Sequence, residues 1–109
     1  MTGRVGGRPI DELFSVLADP TRRDVLERLV HEGPQTATAL AAHYPTTRQA
    51  IVKHLRALAE AELVVAERLG REVRYRATTK RLAEVVDWLL GASADWDRRT
   101  DRLRAKMRR

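Results

Sequence analysis

Apolar positions along the chain keep a helical period, switch to alternation, and return to a helical period. Ile10, Leu13, Phe14 and Leu17 stand at i, i+3, i+4 and i+7, one stripe of a short first helix. Val25, Leu26, Leu29 and Val30 predict a second. Asp19-Pro20 opens it, since Asp is a favoured N-cap and Pro fits the first helical position, where its missing N–H costs nothing. Gly33-Pro34 ends it. Thr36 can cap a third, short helix from Ala37 to about His43, with Ala39, Leu40 and Ala42 as a small-residue face that lets another helix come close. Tyr44-Pro45-Thr46 is a turn, because the residue before Pro is pushed out of the helical region. A fourth helix, residues 47–60, takes Thr47 as N-cap; Ile51, Leu55 and Leu58 fall on one side.

After Glu62 the period becomes two. Residues 63–69 are β-rich, Gly70-Arg71-Glu72 can turn, and Val73, Tyr75 and Ala77 alternate with Arg74 and Arg76. This reads as a two-stranded hairpin with an arginine-bearing tip. Thr78 or Thr79 can cap a long last helix, in which Leu82, Val86, Leu89, Ser93, Trp96, Thr100, Leu103 and Met107 recur in steps of four and three. That 3.5-residue repeat is the seam of a helix that packs along another helix. Gly91 and Ser93 weaken the helix interior and mark where it would break. A domain of this size has little core left to cover such a seam, so a second copy is expected to cover it, with Leu13, Leu82, Val86, Leu89, Trp96 and Leu103 at the dimer interface. The expected architecture is mainly α with a small β-hairpin: a winged helix-turn-helix of five helices and a two-stranded wing, ending in a long dimerisation helix. Residues 1–8 form a flexible arm, 9–78 the helix-turn-helix domain and 79–109 the dimerisation helix.

The polar side of helix 47–60 gives this layout a chemistry. Arg48, Gln49, Val52, Lys53 and Arg56 lie away from its apolar stripe. Arg pairs with guanine O6/N7, Gln with adenine N6/N7, and an apolar side chain with a thymine methyl, so Arg48, Gln49, Lys53 and Val52 are the expected base readers. Thr46, Thr47 and His54 are expected on phosphates, which fix position without reading sequence. Arg71 at the hairpin tip should reach phosphate or the neighbouring minor groove. Arg56, Arg68 and Arg74 are weaker candidates, since surface arginines are often merely solvated. Charge supports a polyanionic partner, either nucleic acid or an anionic membrane surface. The formal net charge is +6, with residues 46–76 at net +3 and residues 98–109 at net +6. The Arg-rich tail has two readings: a solvated helix end suited to the dipole, or added non-specific attraction to DNA.

Other classes fare worse. The chain has no cysteine, which removes disulfides, thiolate metal sites and Cys nucleophiles. No apolar run approaches the roughly 18 residues of a membrane span, and the N-terminus has no signal-peptide apolar region, so a cytoplasmic location and no membrane partner are expected. There is no recognisable nucleophile elbow, phosphate loop or helix-borne His pair, so no enzyme is expected. The alternative is a dimeric helical adaptor that binds protein rather than DNA. Salt separates the two, because DNA affinity falls steeply as salt rises.

The residues that carry these features resemble the ArsR/SmtB family of winged helix-turn-helix transcriptional regulators. Leu17-Ala18-Asp19-Pro20-Thr21-Arg22-Arg23 followed by Val25-Leu26-Glu27-Arg28-Leu29 looks like its opening signature, and Thr38-Ala39-Leu40-Ala41 like its positioning helix. Arg48 to Leu58, with the His54-Leu55 pair, matches its recognition helix, and Leu63-Val64 with Gly70-Arg71 to Tyr75 its wing. Residues from Trp88 to Leu103 are similar to a subgroup with an extended last helix. The resemblance implies a dimeric repressor binding a promoter. Many members release DNA on binding a metal, but the Cys pair often found near the recognition helix is replaced here by Ala37, Thr38, Ala39 and Leu40. The last helix has Asp87, Asp95, Asp97 and Asp101 but no His, and carboxylates alone suit zinc-class ions poorly. No metal site and no cofactor are expected, His31, His43 and His54 lying in separate elements; the effector, if one exists, is not legible.

Overall fold

A computed structural model describes residues 9–107; the expected arm at 1–8 lies outside them. In chain order the elements are α1 (Pro9–Leu17), α2 (Pro20–Glu32), β1 (Gln35–Thr36), α3 (Ala37–Ala41), α4 (Arg48–Glu60), β2 (Val64–Leu69), β3 (Glu72–Ala77) and α5 (Lys80–Met107). The caps follow from side-chain chemistry. Asp19 accepts the Arg22 N–H at 3.0 Å with Pro20 behind it, Thr36 accepts that of Ala39, and Thr47 that of Ala50, both at 3.1 Å. The Gly33 N–H closes α2 on the Leu29 carbonyl.

α4 ends in a Schellman motif: the Glu62 N–H reaches the Ala59 carbonyl and the Leu63 N–H reaches that of Leu58, with Leu58 and Leu63 both buried beneath. Glu62 takes φ 61°, a left-handed position that glycine usually fills.

The core is Leu13, Val25, Leu26, Leu29, Leu40, Ile51, Leu55, Leu58, Leu63 and Val64 with Ala37 and Ala61, and no charged or polar residue among the described ones is buried with them. Three expectations change here. α3 is shorter than anticipated, because the His43 N–H bonds Leu40 and that of Tyr44 bonds Ala41, tight turns that end the helix; Ala37 and Leu40 are buried, while Ala39 and Ala42 are exposed. The sheet has three strands in the order β1-β3-β2, all antiparallel, with Gln35 opposite Tyr75 and Thr36 opposite Arg74. Extended residues between Pro34 and the α3 cap meet the free edge of β3, a strand too short to leave a periodic signal. Leu13 is fully buried in its own chain, so it cannot also face a partner.

The hairpin joins β2 and β3 through Gly70 and Arg71, with Leu69 opposite Glu72. Gly70 has φ 66° at the first loop position, where a two-residue turn of the II′ class calls for glycine. α5 runs unbroken through Gly91 and Ser93, has no buried residue, and touches the rest of the chain mainly at its start, through Leu82 and Val85. At 1.5 Å per residue it is about 42 Å long. It draws the molecule out to 69 × 34 × 23 Å, with a radius of gyration of 18.7 Å. A compact chain of this length would have about 13 Å.

Candidate nucleic-acid interface

α3, the turn after it and α4 form the helix-turn-helix, and polar contacts hold its angle. The Tyr44 hydroxyl, in the turn, donates to Asp24 Oδ2 at 2.5 Å and accepts from Arg28 Nε at 3.3 Å. Burial pushes the Tyr44 phenol above its ordinary pKa, and the bond to Asp24 adds to the rise. Arg28 also lies over the Tyr44 ring and pairs with Glu32 at 2.9 Å. At the α1–α2 corner, Arg22 donates to the Val16 carbonyl and Arg23 to those of Leu17 and Ala18. The two arginines therefore close the last turn of α1, where cations are favoured. The Arg22 N–H bond holds the Asp19 carboxyl below its usual range.

Between α4 and the wing runs an open groove of about 530 Å³, lined by Thr36, Thr38, Arg48, Val52, Arg71, Val73 and Tyr75 among others. Arg48 stands in the first turn of α4 and Arg71 in the wing loop, so the groove has a guanidinium on each side. Arg48 Nε donates to Thr38 Oγ1 at 3.1 Å, which fixes one edge of that guanidinium. Thr46, Thr47 and Gln49 are exposed around the same helix start, and Lys53 and Arg56 are exposed further along α4. Val52 is half-buried, resting on the core while lining the groove. His54 is also half-buried, with Nδ1 shut from solvent and lacking a hydrogen-bond partner among the described residues.

The hairpin arginines separate by strand parity. Arg68 pairs across with Val73 and so shares a sheet face with Tyr75; its Nε folds onto the Gly70 carbonyl at 3.4 Å. Arg74 and Arg76 project from the other face with Glu72 and Glu67, Arg74 pairing with Glu72 at 3.6 Å and Arg76 with Glu67 at 3.0 Å. Arg74 therefore lies on the sheet face opposite Val73 and Tyr75, which line the groove. Sequence reasoning missed Thr38 and Tyr75, which reach the site only through tertiary packing. It also missed the edge-to-face contact of Phe14 with Trp88, centroids 5.4 Å apart, which fastens α5 to α1.

The family pattern described as a helix-turn-helix domain matches residues 17–67. The chain is similar to the transcriptional repressor SdpR of Bacillus subtilis, 32% identical over 81 residues that make up 74% of this chain and 89% of that one. It also resembles an ArsR-like transcriptional regulator from Rhodococcus, at 39% identity and a TM-score of 0.77, covering 87% of this chain and 89% of that structure.

The chain belongs to the ArsR family of winged helix-turn-helix regulators.

The HTH-type transcriptional regulator CmtR of Mycobacterium tuberculosis is a further relative, 40% identical over 87 residues, 76% of this chain and 73% of its own. As an ArsR-family member the chain is a DNA-binding transcription regulator. The regulator's described residues bring together no group of three His, Asp or Glu able to hold a metal ion. None of its described helices is long and apolar enough to cross a membrane.

Proposed function

We propose that the chain acts in the cytoplasm as a homodimeric repressor, reading a palindromic operator with two copies of α4. The observation that carries this reading is the open groove with Arg48 on one wall and Arg71 on the other, in a molecule whose α5 presents an uncovered apolar stripe. α4 enters the major groove, with Arg48, Gln49 and Lys53 at base edges and Val52 at the helix–wing wall, close to a thymine methyl. Thr46 and Thr47 hold phosphates at the helix start, and Arg71, supported by Arg68, reaches the backbone or minor groove beyond. His54, largely turned inward, takes at most one phosphate through its exposed edge. Val86, Leu89, Trp96 and Leu103, each more than half exposed, form the interface between copies, with Leu82 at its half-buried edge. A two-fold dimer sets the reading helices about 34–36 Å apart, one turn of DNA.

Selection of bound sequences from random duplex DNA by the purified protein tests the reading. The expected product is a twofold-symmetric site with half-sites about 10 base pairs apart, bound less tightly as salt rises. An unsymmetric pool, or no enrichment, overturns it.

A further inference from the structure

Two guanidiniums border the groove between α4 and the wing, and they are held differently. Arg71, in the wing loop, makes no hydrogen bond or ion pair among the described residues. Arg48 is tethered: its Nε donates to Thr38 Oγ1 at 3.1 Å. Both ends of the tether stand on firm ground. Thr38 lies in α3 between Ala37 and Leu40, which are buried, and Ile51, within a turn of Arg48 on α4, is fully buried too. Threonine is also stiff about χ1, because it branches at Cβ. Thr38 follows closely on β1, which pairs with the wing strand β3, so it ties Arg48 to the wing as well as to α3.

The acceptor and the donor atom both matter. Arg74 and Arg76 meet carboxylates of Glu72 and Glu67, which offset their charge within the sheet. A hydroxyl fixes Arg48 and leaves its charge free to act on a polyanion. A guanidinium can face a base side-on, through Nε and one Nη, or end-on, through both Nη. With Nε on Thr38, the end-on pair is the one left. Two parallel donors need two adjacent acceptors on one base, and in the major groove guanine alone offers them, at O6 and N7. Adenine sets a donor beside its N7, thymine offers one acceptor, and cytosine a donor. A long side chain free to swing must lose rotamer freedom on docking, whereas one already held has lost it beforehand.

We propose that Thr38 is a positioning residue for base recognition, holding Arg48 end-on towards O6 and N7 of a guanine. Arg48 then reads sequence, while the untethered Arg71 supplies attraction alone. Thr38 sets specificity without a base contact of its own. The inference rests on the duplex-binding reading above, with α4 in the major groove.

Selection of bound sequences with wild type and Arg48→Ala locates the base position that Arg48 reads, and the base expected there is guanine. Thr38→Val, nearly the same shape without the acceptor, should lower the preference for guanine at that position about fivefold. Preferences at other positions, affinity for non-specific duplex and the salt slope should match the wild type. Thr38→Ser keeps the hydroxyl and should keep the preference. In an Arg48→Ala background, Thr38→Val should add nothing. Thr38 is exposed and the cap of α3 is Thr36, so each variant should melt with the wild type. Thr38→Ala should repeat the loss without a β-branched side chain. Full guanine preference in both Thr38→Val and Thr38→Ala, an equal loss at every base position, or a loss that persists in Arg48→Ala overturns the role of Thr38 and leaves the duplex reading standing. A base other than guanine at the Arg48 position overturns the end-on geometry and the proposal with it. A wild-type chain that enriches no sequence overturns the duplex reading itself.

Discussion

The two parts of this chain are held in order by different means. The elements from α1 to β3 pack around a dozen buried apolar side chains, with every helix entry from α2 to α4 capped by its own Asp or Thr. α5 is three times as long as α1 and buries none of its residues, so its order within one chain comes from a few contacts at its start. The first part is specified by its own sequence. The second is not held by burial within the chain, and in the proposed dimer its apolar stripe meets a second copy. Sequence pattern alone does not separate the two cases, because both give helical periodicity; burial does.

The largest effect should come from testing that division directly. Leu55→Ala removes a fully buried side chain beneath α4 and should lower the stability of the domain by roughly 2–5 kcal/mol. Leu103→Ala, on a position 56% exposed, should change unfolding of the dilute monomer by less than about 0.5 kcal/mol. In the assembled protein it should lower the melting temperature in a concentration-dependent way. Denaturant melts at two protein concentrations read both. Equal destabilisation of the dilute chain by the two variants would erase the distinction.

Next in size is the groove. Arg48→Ala should cost about 1–3 kcal/mol of operator binding and relax preference at one base position, seen by repeating the selection with the variant. Arg71→Ala should weaken binding to all sequences alike and reduce the slope of affinity against salt by about one unit. Neither should change the dimer dissociation constant, since both lie far from α5. A loss of dimerisation in either variant would mean that the reading domain and α5 are not separable.

How much of this was legible in the sequence follows the same line. The caps at Asp19, Thr36 and Thr47, the glycine stop at Gly33 and the buried face of α4 were readable, because each depends on residues within four positions of one another. β1 was not, since two residues have no period and their strand character comes from the edge of β3 nearly forty residues later. The Thr38–Arg48 bond and the Tyr44–Asp24–Arg28 cluster were equally hidden, joining helices whose crossing is set only by the packed core. Leu13 misled for a related reason: a stripe on a short helix shows that something covers it, not whether that cover is the same chain. Arg74 looked like Arg68 until strand parity set it, with its Glu72 partner, on the sheet face opposite Val73 and Tyr75.

A smaller effect should come from the α1–α2 corner. Asp19→Ala removes the cap of α2 and should cost about 1 kcal/mol of domain stability. The pH dependence has a definite sign. Because the Arg22 N–H lowers the Asp19 pKa, its contribution is present above the unfolded value of about 4 and is lost as pH falls through the folded one. Asp19→Asn keeps a capping oxygen but cannot titrate, so its stability should fall less between pH 5 and pH 3 than that of the wild type. Parallel acid titrations followed by circular dichroism check this; identical curves would remove Asp19 from the acid transition.

The smallest effect lies at the joint between the two parts. Glu62 ends α4 in a left-handed conformation, its carbonyl accepts the Thr78 hydroxyl at 2.9 Å, and its carboxylate meets Arg81, in the first turn of α5, at 2.7 Å. Thr78 thus ties the chain back to α4 and leaves the entry of α5 to Thr79, whose carbonyl takes the Ala83 N–H. Glu62→Gly removes the steric cost of the left-handed position, about 1 kcal/mol, and the carbonyl bond survives because it belongs to the backbone. It also removes an ion pair whose Glu62 side chain is 72% exposed, worth no more than about 0.5 kcal/mol, and adds chain entropy to the unfolded state. The domain should therefore melt within about 0.5 kcal/mol of the wild type. Arg81 keeps Glu84, 2.5 Å away within α5, but no longer binds that helix to the end of α4. Amide exchange in the first two turns of α5 should then quicken while exchange in α4 stays the same. Equal exchange in both would show that Phe14 and Trp88 hold α5 in place without Glu62, and that the joint is apolar rather than ionic.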